Sequence, residues 1–447
     1  MPELAIRGGM AATPEGVVRA DIAIEGGAIV AVAPELAGAP REIDARGLTV
    51  LPGAIDAHLH FNEAGRTEWE GAATGSRALA SAGGALFFDM PLNSSPCTVG
   101  PAEFDAKRAA LEQSSITDFG LWGGIVPGNR AALAELAARG AIGFKAFMAD
   151  SGLDEFPRAD DLTLYEAMRE AARLGLPVAV HAEDNELVRA LASRALAQGR
   201  TGIRDYLDSR PVLAEVAAIE RAALLARETG ARLYIVHVSS GRGVAAALEA
   251  RARGADITIE TCAHYLYFTE ADMERIGAAA KCAPPLRPGS ERDALWASVL
   301  AGDVDVVSSD HSPAPPSLKQ DANFFKIWGG IAGVESTRAV LAGRAPVGLV
   351  VRLTAENPAR YFGIARKGRI AVGCDADLAL VDDAASYTVE PDKLFLRHRL
   401  SPYAGARFRG VVRRTVASGE TIYLDGAIVS GRRGKMVTAH ATSRTHA

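Results

Sequence analysis

Two histidines one residue apart, His58 and His60, close the apolar run Ala54-Ile55-Asp56-Ala57. In a strand, residues i and i+2 face the same side. Both imidazoles therefore project together and can hold one cation, and neutral imidazole is a common ligand for zinc and its first-row neighbours. Two ordinary polar residues leaving a strand would look the same in isolation. Other titratable residues decide between the readings. Lys145 follows Ile142-Gly143-Phe144, His181 follows Val178-Ala179-Val180, and His237 follows Leu233-Tyr234-Ile235-Val236. Asp310 follows Val306-Val307-Ser308-Ser309. Four of the nine histidines, with a lysine and an aspartate, thus arrive at the ends of apolar runs. Packing explains that recurrence poorly.

Lys145 is the odd member. Apolar neighbours on both sides predict a buried stem, and lysine is almost never buried without a partner. Desolvation and nearby cations lower the pKa of such an amine. A neutral amine can add carbon dioxide to give a carbamate, an anionic oxygen donor able to bridge two metals. The alternative is an ion pair with Asp310 or Glu183.

These residues need elements to hold them. Eight short apolar runs are candidate strands, centred on 54–56, 85–89, 120–122, 142–145, 178–181, 233–237, 257–260 and 304–307. Ala/Leu/Glu/Arg-rich helical stretches such as 131–139, 162–174 and 212–228 fall between them. That alternation predicts an α/β fold, a (β/α)8 TIM barrel over residues 53–364. A doubly wound open sheet is the alternative, but no GxGxxG follows the first strand. In a barrel the chemistry sits at the C-terminal strand ends, where the titratable residues fall. The glycine-punctuated ends of the chain, 1–52 and 365–430, read as one small β-sandwich domain built from both termini. Residues 431–447, with Arg432, Arg433 and Lys435, read as a mobile tail.

The bulk composition excludes several functions. A chain of 447 residues with 48% hydrophobic and 23% charged residues fits a globular protein with a large core. A net charge of −5 gives no reason to expect nucleic acid or an anionic membrane as partner. The four cysteines (Cys97, Cys262, Cys282 and Cys374) are far apart and form no CxxC. That fits free thiols in a reducing compartment. With no signal-like segment and no bilayer-length apolar run, the expected location is cytoplasmic.

The order of HxH on strand one, lysine on four, histidine on five and six and aspartate on eight resembles the amidohydrolase superfamily. Within it the chain resembles the cyclic-amidase branch of dihydroorotases, hydantoinases and allantoinases. Lys367-Gly368-Arg369-Ile370 and Gly373-Cys374-Asp375-Ala376-Asp377 resemble the segment in which these enzymes return to their β domain. The allantoinases are the most similar. That rests on His58 to Glu63, Gly65 to Gly71, Asp89-Met90-Pro91-Leu92-Asn93-Ser94 and Gly143 to Phe147. Ser309-Asp310-His311-Ser312-Pro313 and Trp328-Gly329-Gly330-Ile331 add to it. Ala64 departs from the pattern, since the family usually has proline there.

The resemblance implies a binuclear centre of two divalent ions, zinc first, with cobalt, manganese or nickel also suited. His58, His60, Lys145 and Asp310 would hold one ion. Lys145 as its carbamate (N6-carboxylysine), His181 and His237 would hold the other. It implies hydrolysis of the ring amide of allantoin to allantoate, a step of ureide catabolism, with Asp310 as general acid/base. It also implies a homotetramer.

Dihydroorotases carry an arginine two residues after HxH to clamp a carboxylate. Here that position is Asn62, which argues for a neutral small-molecule ureide. Asn62, Asn93, Ser312 and backbone groups near Cys282 and Gly329 are the candidate substrate contacts. Asn62 and Asn93 fit turn formation equally well. Arg66 either orients substrate or pairs with Glu63 or Glu68. Glu183 and His264 are candidates for orienting the ligands. His311 alternates to the opposite face from Asp310, Cys262 reads as core, and His398, His440 and His446 read as surface residues. Another cyclic amidase, a hydantoinase, dihydropyrimidinase or dihydroorotase, is the alternative activity.

Overall fold

The computed structural model describes residues 2–439. The chain opens with β1 (Leu4–Thr13), β2 (Gly16–Glu25), β3 (Ala28–Ala33), β4 (Arg41–Asp44) and β5 (Thr49–Pro52). It then runs through β6 (Ala54–Leu59), β7 (Gly84–Asp89), β8 (Asp118–Gly124) and β9 (Gly143–Phe147). β10 (Val178–His181), β11 (Leu233–Ile235), β12 (Ile257–Cys262) and β13 (Val306–Ser308) follow. It ends with β14 (Leu378–Thr388), β15 (Arg407–Ala417), β16 (Glu420–Leu424) and β17 (Ala427–Ile428).

β6 to β13 form one eight-stranded sheet whose neighbours follow chain order, every pairing parallel. Each of the eight expected apolar runs overlaps one of these strands. All six residues of β7 and all seven of β8 are buried. Strands covered on both faces need such continuous apolar runs. The ring closes just past the ends of its first and last strands. There the Asp310 N–H donates to the His58 carbonyl at 2.9 Å and the His60 N–H to the His311 carbonyl at 2.8 Å. Three of the candidate ligands, His58, His60 and Asp310, thus take part in the seam of the barrel.

The helices outside the barrel have sequence-level causes. The one over Asp161–Leu174 buries Leu164, Ala167, Met168 and Ala171, one face at helical spacing. The Asp160 carboxylate accepts the Thr163 N–H at 2.8 Å at its start. Gly175 ends it in the left-handed region at φ 71°. Inside the barrel, Phe88, Trp122 and Tyr234 each meet Phe362, with ring centroids 4.9, 5.3 and 5.2 Å apart. Each such ring contributes about 1.5–3 kcal/mol by its burial.

The two chain ends share a nine-stranded sheet, ordered β17-β16-β15-β14-β5-β1-β2-β3 with β4 also beside β1. It encloses an apolar cluster drawn from both ends, including Ile6, Ile22, Val50, Leu378 and Val416. Lys367 joins sheet to barrel, its ammonium 2.7 Å from Asp118 on β8 and 2.6 Å from Asp377.

The expected mobile tail needs correction. Residues 431–439 dock at the start of β8: the Arg432 guanidinium lies 2.6 Å from Asp118 Oδ1, and the Phe119 N–H donates to the Lys435 carbonyl at 3.0 Å. Val437 donates back to the Phe119 carbonyl at 2.7 Å. The basic residues that suggested a solvated tail therefore include the one that anchors it. The remaining tail positions, His440 and His446 among them, lie outside the described residues. Among the described residues no helix is long and apolar enough to cross a membrane.

Candidate metal centre and active-site cavity

Strand geometry brings the six candidate ligands to one mouth of the barrel. His58 Nε2 lies 3.2 Å and His60 Nε2 3.4 Å from the same Asp310 oxygen, Oδ1. The shared face expected of HxH is therefore present. His181 Nδ1 faces His237 Nε2 at 3.0 Å, and the His58 and His237 ring centroids are 5.5 Å apart. Lys145 sits in the middle of β9 rather than at its end. Its Nζ has no hydrogen-bond partner among the described residues, and the residue is 1% exposed.

Of the ligands that follow their strands, His237 and Asp310 both have φ of 42°. A left-handed non-glycine residue costs about 1–3 kcal/mol and persists only where its surroundings hold it. Here Glu260 accepts the His237 N–H at 3.2 Å, and the His58 carbonyl accepts that of Asp310.

Electrostatics favour metal-ready protonation states. Burial pushes His60 down to about 4 and moves His181 and His237 downward as well, so all three rings are neutral at pH 7 with a lone pair free. Burial would raise Asp310, but the neighbouring His58 and His60 outweigh it and hold the carboxyl well below the usual carboxylate range. Burial drops the Lys145 amine from 10.5 to about 7. A lone buried ammonium costs several kcal/mol, which favours the neutral amine, the form that adds carbon dioxide.

The donors fit a metal. The ligand atoms of His58, His60 and Asp310 all lie within 4.8 Å of one another. Outside them, Glu260 accepts from His58 Nδ1 at 2.7 Å and from the Tyr234 hydroxyl at 2.7 Å. Glu183 meets His181 Nε2 at 2.8 Å and pairs with Arg210. Glu183 thus has the orienting place expected of it, and Arg210 and His181 overcome its burial to hold it near about 2. Glu260 was missed: in sequence it is one carboxylate at the end of an apolar run. His264 is buried, and among the described residues neither ring nitrogen has a hydrogen-bond partner within ordinary geometry; it offers a ligand atom within 4.8 Å of those of Cys262 and Asp310. His311 turns away from the ligands, as expected; its Nδ1 accepts the Gly333 N–H at 3.2 Å. His398 is half-buried and reaches the Glu68 carbonyl at 2.8 Å.

A cavity of about 440 Å³ opens onto the ligands, a size suited to a small molecule. Asn93, Cys282, Ser312 and Gly329 line it. The Asn93 amide donates to Ser312 Oγ at 3.1 Å. Asn62 is not on its wall. It holds a turn at φ 64°, and its amide meets the Pro313 carbonyl at 3.4 Å. Arg66 pairs neither with Glu63 nor with Glu68 but with Glu155 at 3.2 Å, and it donates to the Asn93 carbonyl at 3.2 Å. Wall residues that sequence reasoning missed include Phe147, whose ring stacks on His181 at 4.4 Å, and Tyr206 and Lys281. Nothing in their local sequence marks them.

A parallel (β/α)8 barrel with histidines, a buried lysine and an aspartate gathered at one mouth defines a class, the barrel enzymes built around a cluster of metal-ligating side chains. The chain belongs to the amidohydrolase family, whose pattern matches residues 49–422. An allantoinase of Solibacter usitatus is 63% identical, with all of both chains covered. One from Rubrobacter xylanophilus is 54% identical over 97% of each chain. Among solved structures, the L-hydantoinase (dihydropyrimidinase) of Arthrobacter aurescens superposes with a TM-score of 0.95 at 31% identity, covering 98% of this chain and all of that one. The dihydropyrimidinase of Brevibacillus agri gives 0.91 at 28% identity, with 99% of each chain covered.

Proposed function

We propose that the protein hydrolyses the ring amide of allantoin to give allantoate. The observation that carries this reading is the convergence of His58, His60, Lys145, His181, His237 and Asp310 on one cavity mouth. The full-length similarity to allantoinases chooses the substrate. His58, His60 and Asp310 would hold one divalent ion and His181 and His237 a second, with Lys145 as its carbamate between them. Zinc is the first candidate, and cobalt, manganese and nickel suit the same donors. Bound there, such ions lower the pKa of water and polarise a carbonyl.

The chain's own residues supply the rest. Asp310, ionised at neutral pH and 13% exposed at its side chain, takes a proton from the attacking water and delivers it to the leaving ring nitrogen. Proton transfer of this kind contributes about 10²–10⁴-fold. Glu260 and Glu183 fix the tautomers of His58 and His181, so the free nitrogen of each ring faces the centre. Asn93, Ser312 and the backbone at Cys282 and Gly329 offer donors and acceptors without net charge, which suits a neutral ureide. A homotetramer and a reducing cytoplasm belong to the same reading, and the four free cysteines fit the second of these.

Parallel assays on allantoin, hydantoin and dihydroorotate test it. Allantoin is expected to turn over fastest. Turnover of only the other two contradicts the proposal and favours a different cyclic amidase.

A further inference from the structure

Two more buried lysines lie outside the ligand cluster: Lys281 lines the cavity, and Lys319 meets the carbonyls of Trp328 and Gly330, which line it. Lys281 is 3% and Lys319 9% exposed, and among the described residues neither forms an ion pair. Lys281 Nζ donates to the carbonyls of Phe324 at 2.7 Å, Phe325 at 3.2 Å and Ile327. Lys319 Nζ donates to those of Ala278 at 3.2 Å, Trp328 at 2.9 Å and Gly330 at 2.8 Å. An ammonium has three N–H donors, so backbone oxygens alone satisfy each lysine. The Lys281 ammonium also lies 4.6 Å from the centre of the Tyr206 ring, a cation–π contact.

Every one of those carbonyls except that of Ala278 belongs to segment 324–330. The segment has one short helical turn, Phe324–Lys326, and little other structure of its own. It is tied back to Lys281 at one further point, and Tyr206, whose ring meets Phe324 and Phe325, is tied to Cys282. The Gly330 N–H donates to the Lys281 carbonyl at 2.8 Å, and the Tyr206 hydroxyl to the Cys282 carbonyl at 2.9 Å. On this braced wall the N–H of Cys282 and both backbone groups of Gly329 make no hydrogen bond within the described residues. Both residues line the cavity. The lysines consume the carbonyls around these groups and leave them free for a ligand.

We propose that Lys281 and Lys319 are positioning residues: they clamp segment 324–330 against 278–282, so that the free backbone groups of Cys282 and Gly329 meet the amide edges of a cyclic ureide. The ureide part rests on the function proposed above; the clamp does not. Neither lysine touches the candidate metal ligands, so its loss weakens ring binding rather than the chemical step. Truncating a charged donor to several carbonyls typically weakens such binding by about tenfold or more.

The test measures allantoin kinetics, metal content and amide hydrogen exchange for the metal-loaded full chain and for Lys281→Met. The clamp predicts KM raised about tenfold or more, kcat within about threefold and wild-type metal content. It also predicts faster exchange at the Trp328 and Gly330 amides, with the barrel strands unchanged. Wild-type KM together with wild-type exchange in 324–330 overturns it, as does a loss confined to kcat. If Lys281→Met does not accumulate folded, Lys319→Met, which frees the Trp328 and Gly330 carbonyls, faces the same criteria. If the wild-type enzyme leaves allantoin untouched, the substrate reading fails, and the exchange data still decide the clamp.

Discussion

The Glu260 carboxylate accepts the Nδ1–H of His58 at 2.7 Å, and both side chains are buried. The bond turns the other ring nitrogen of His58 toward Asp310, 3.2 Å away. The same carboxylate also meets the Tyr234 hydroxyl, the His237 N–H and the Ser308 hydroxyl. One residue of β12 thus steadies four groups around the candidate centre, on β6, β11, β13 and the loop after β11.

Glu260→Gln keeps the size of that side chain and removes its charge. Replacing an outer partner of a metal-binding histidine typically costs about 10–100-fold in metal affinity or activity. The variant is expected to fold, to bind the activating metal that much more weakly, and to recover part of its turnover at high metal concentration. Wild-type metal affinity, measured by competition with a chelator, contradicts the orienting role.

Lys145→Ala removes the bridging donor. It is expected to lose metal and activity, with partial recovery in short carboxylic acids that can occupy the vacated space. Wild-type activity without added acid rules the carbamate out.

The pH dependence of carbamate formation is specific. Carbon dioxide adds to the neutral amine, and burial places Lys145 near about 7 instead of its ordinary 10.5. At matched dissolved carbon dioxide, the rate at which metal-free enzyme regains activity should rise about tenfold from pH 6 to 8 and then level off. A rate still climbing tenfold per pH unit beyond pH 8 would mean an unperturbed lysine.

Away from the site, Glu335 carries a stability prediction. Burial raises its carboxyl from 4.5 to about 8, although the Phe395 N–H at 2.9 Å and the Ser81 hydroxyl at 3.1 Å favour ionisation. The folded state therefore holds a proton that the unfolded chain releases, and this group makes stability fall as pH rises from about 4.5 to about 8. Glu335→Gln should raise Tm by a few °C at pH 8.5 and leave it unchanged near pH 5. Equal melting curves at both pH values contradict the raised carboxyl.

How much of this was legible in the sequence depends on how local each signal is. A buried parallel strand is a continuous apolar run and an outer helix an amphipathic one, so all eight barrel strands could be read from sequence. A ligand at a strand end is a polar residue after such a run, and six of them in barrel order formed a pattern. Partners across the ring left no such trace. Glu260 is 202 positions from His58, and Glu155 is 89 from Arg66. The docked tail was misread because Arg432 looks solvated until Asp118, 314 positions earlier, is seen to receive it. Asn62 lay next to the metal motif, yet its left-handed turn keeps it off the cavity wall.

The central claim is a divalent-metal cyclic amidase acting on allantoin. Metal content and allantoin hydrolysis should be measured on one preparation as isolated, after exhaustive chelation, and after metal is restored with bicarbonate. The account predicts close to two ions per chain at full activity, loss of allantoate formation on chelation, and recovery on reconstitution. Undiminished hydrolysis by metal-free protein would contradict it.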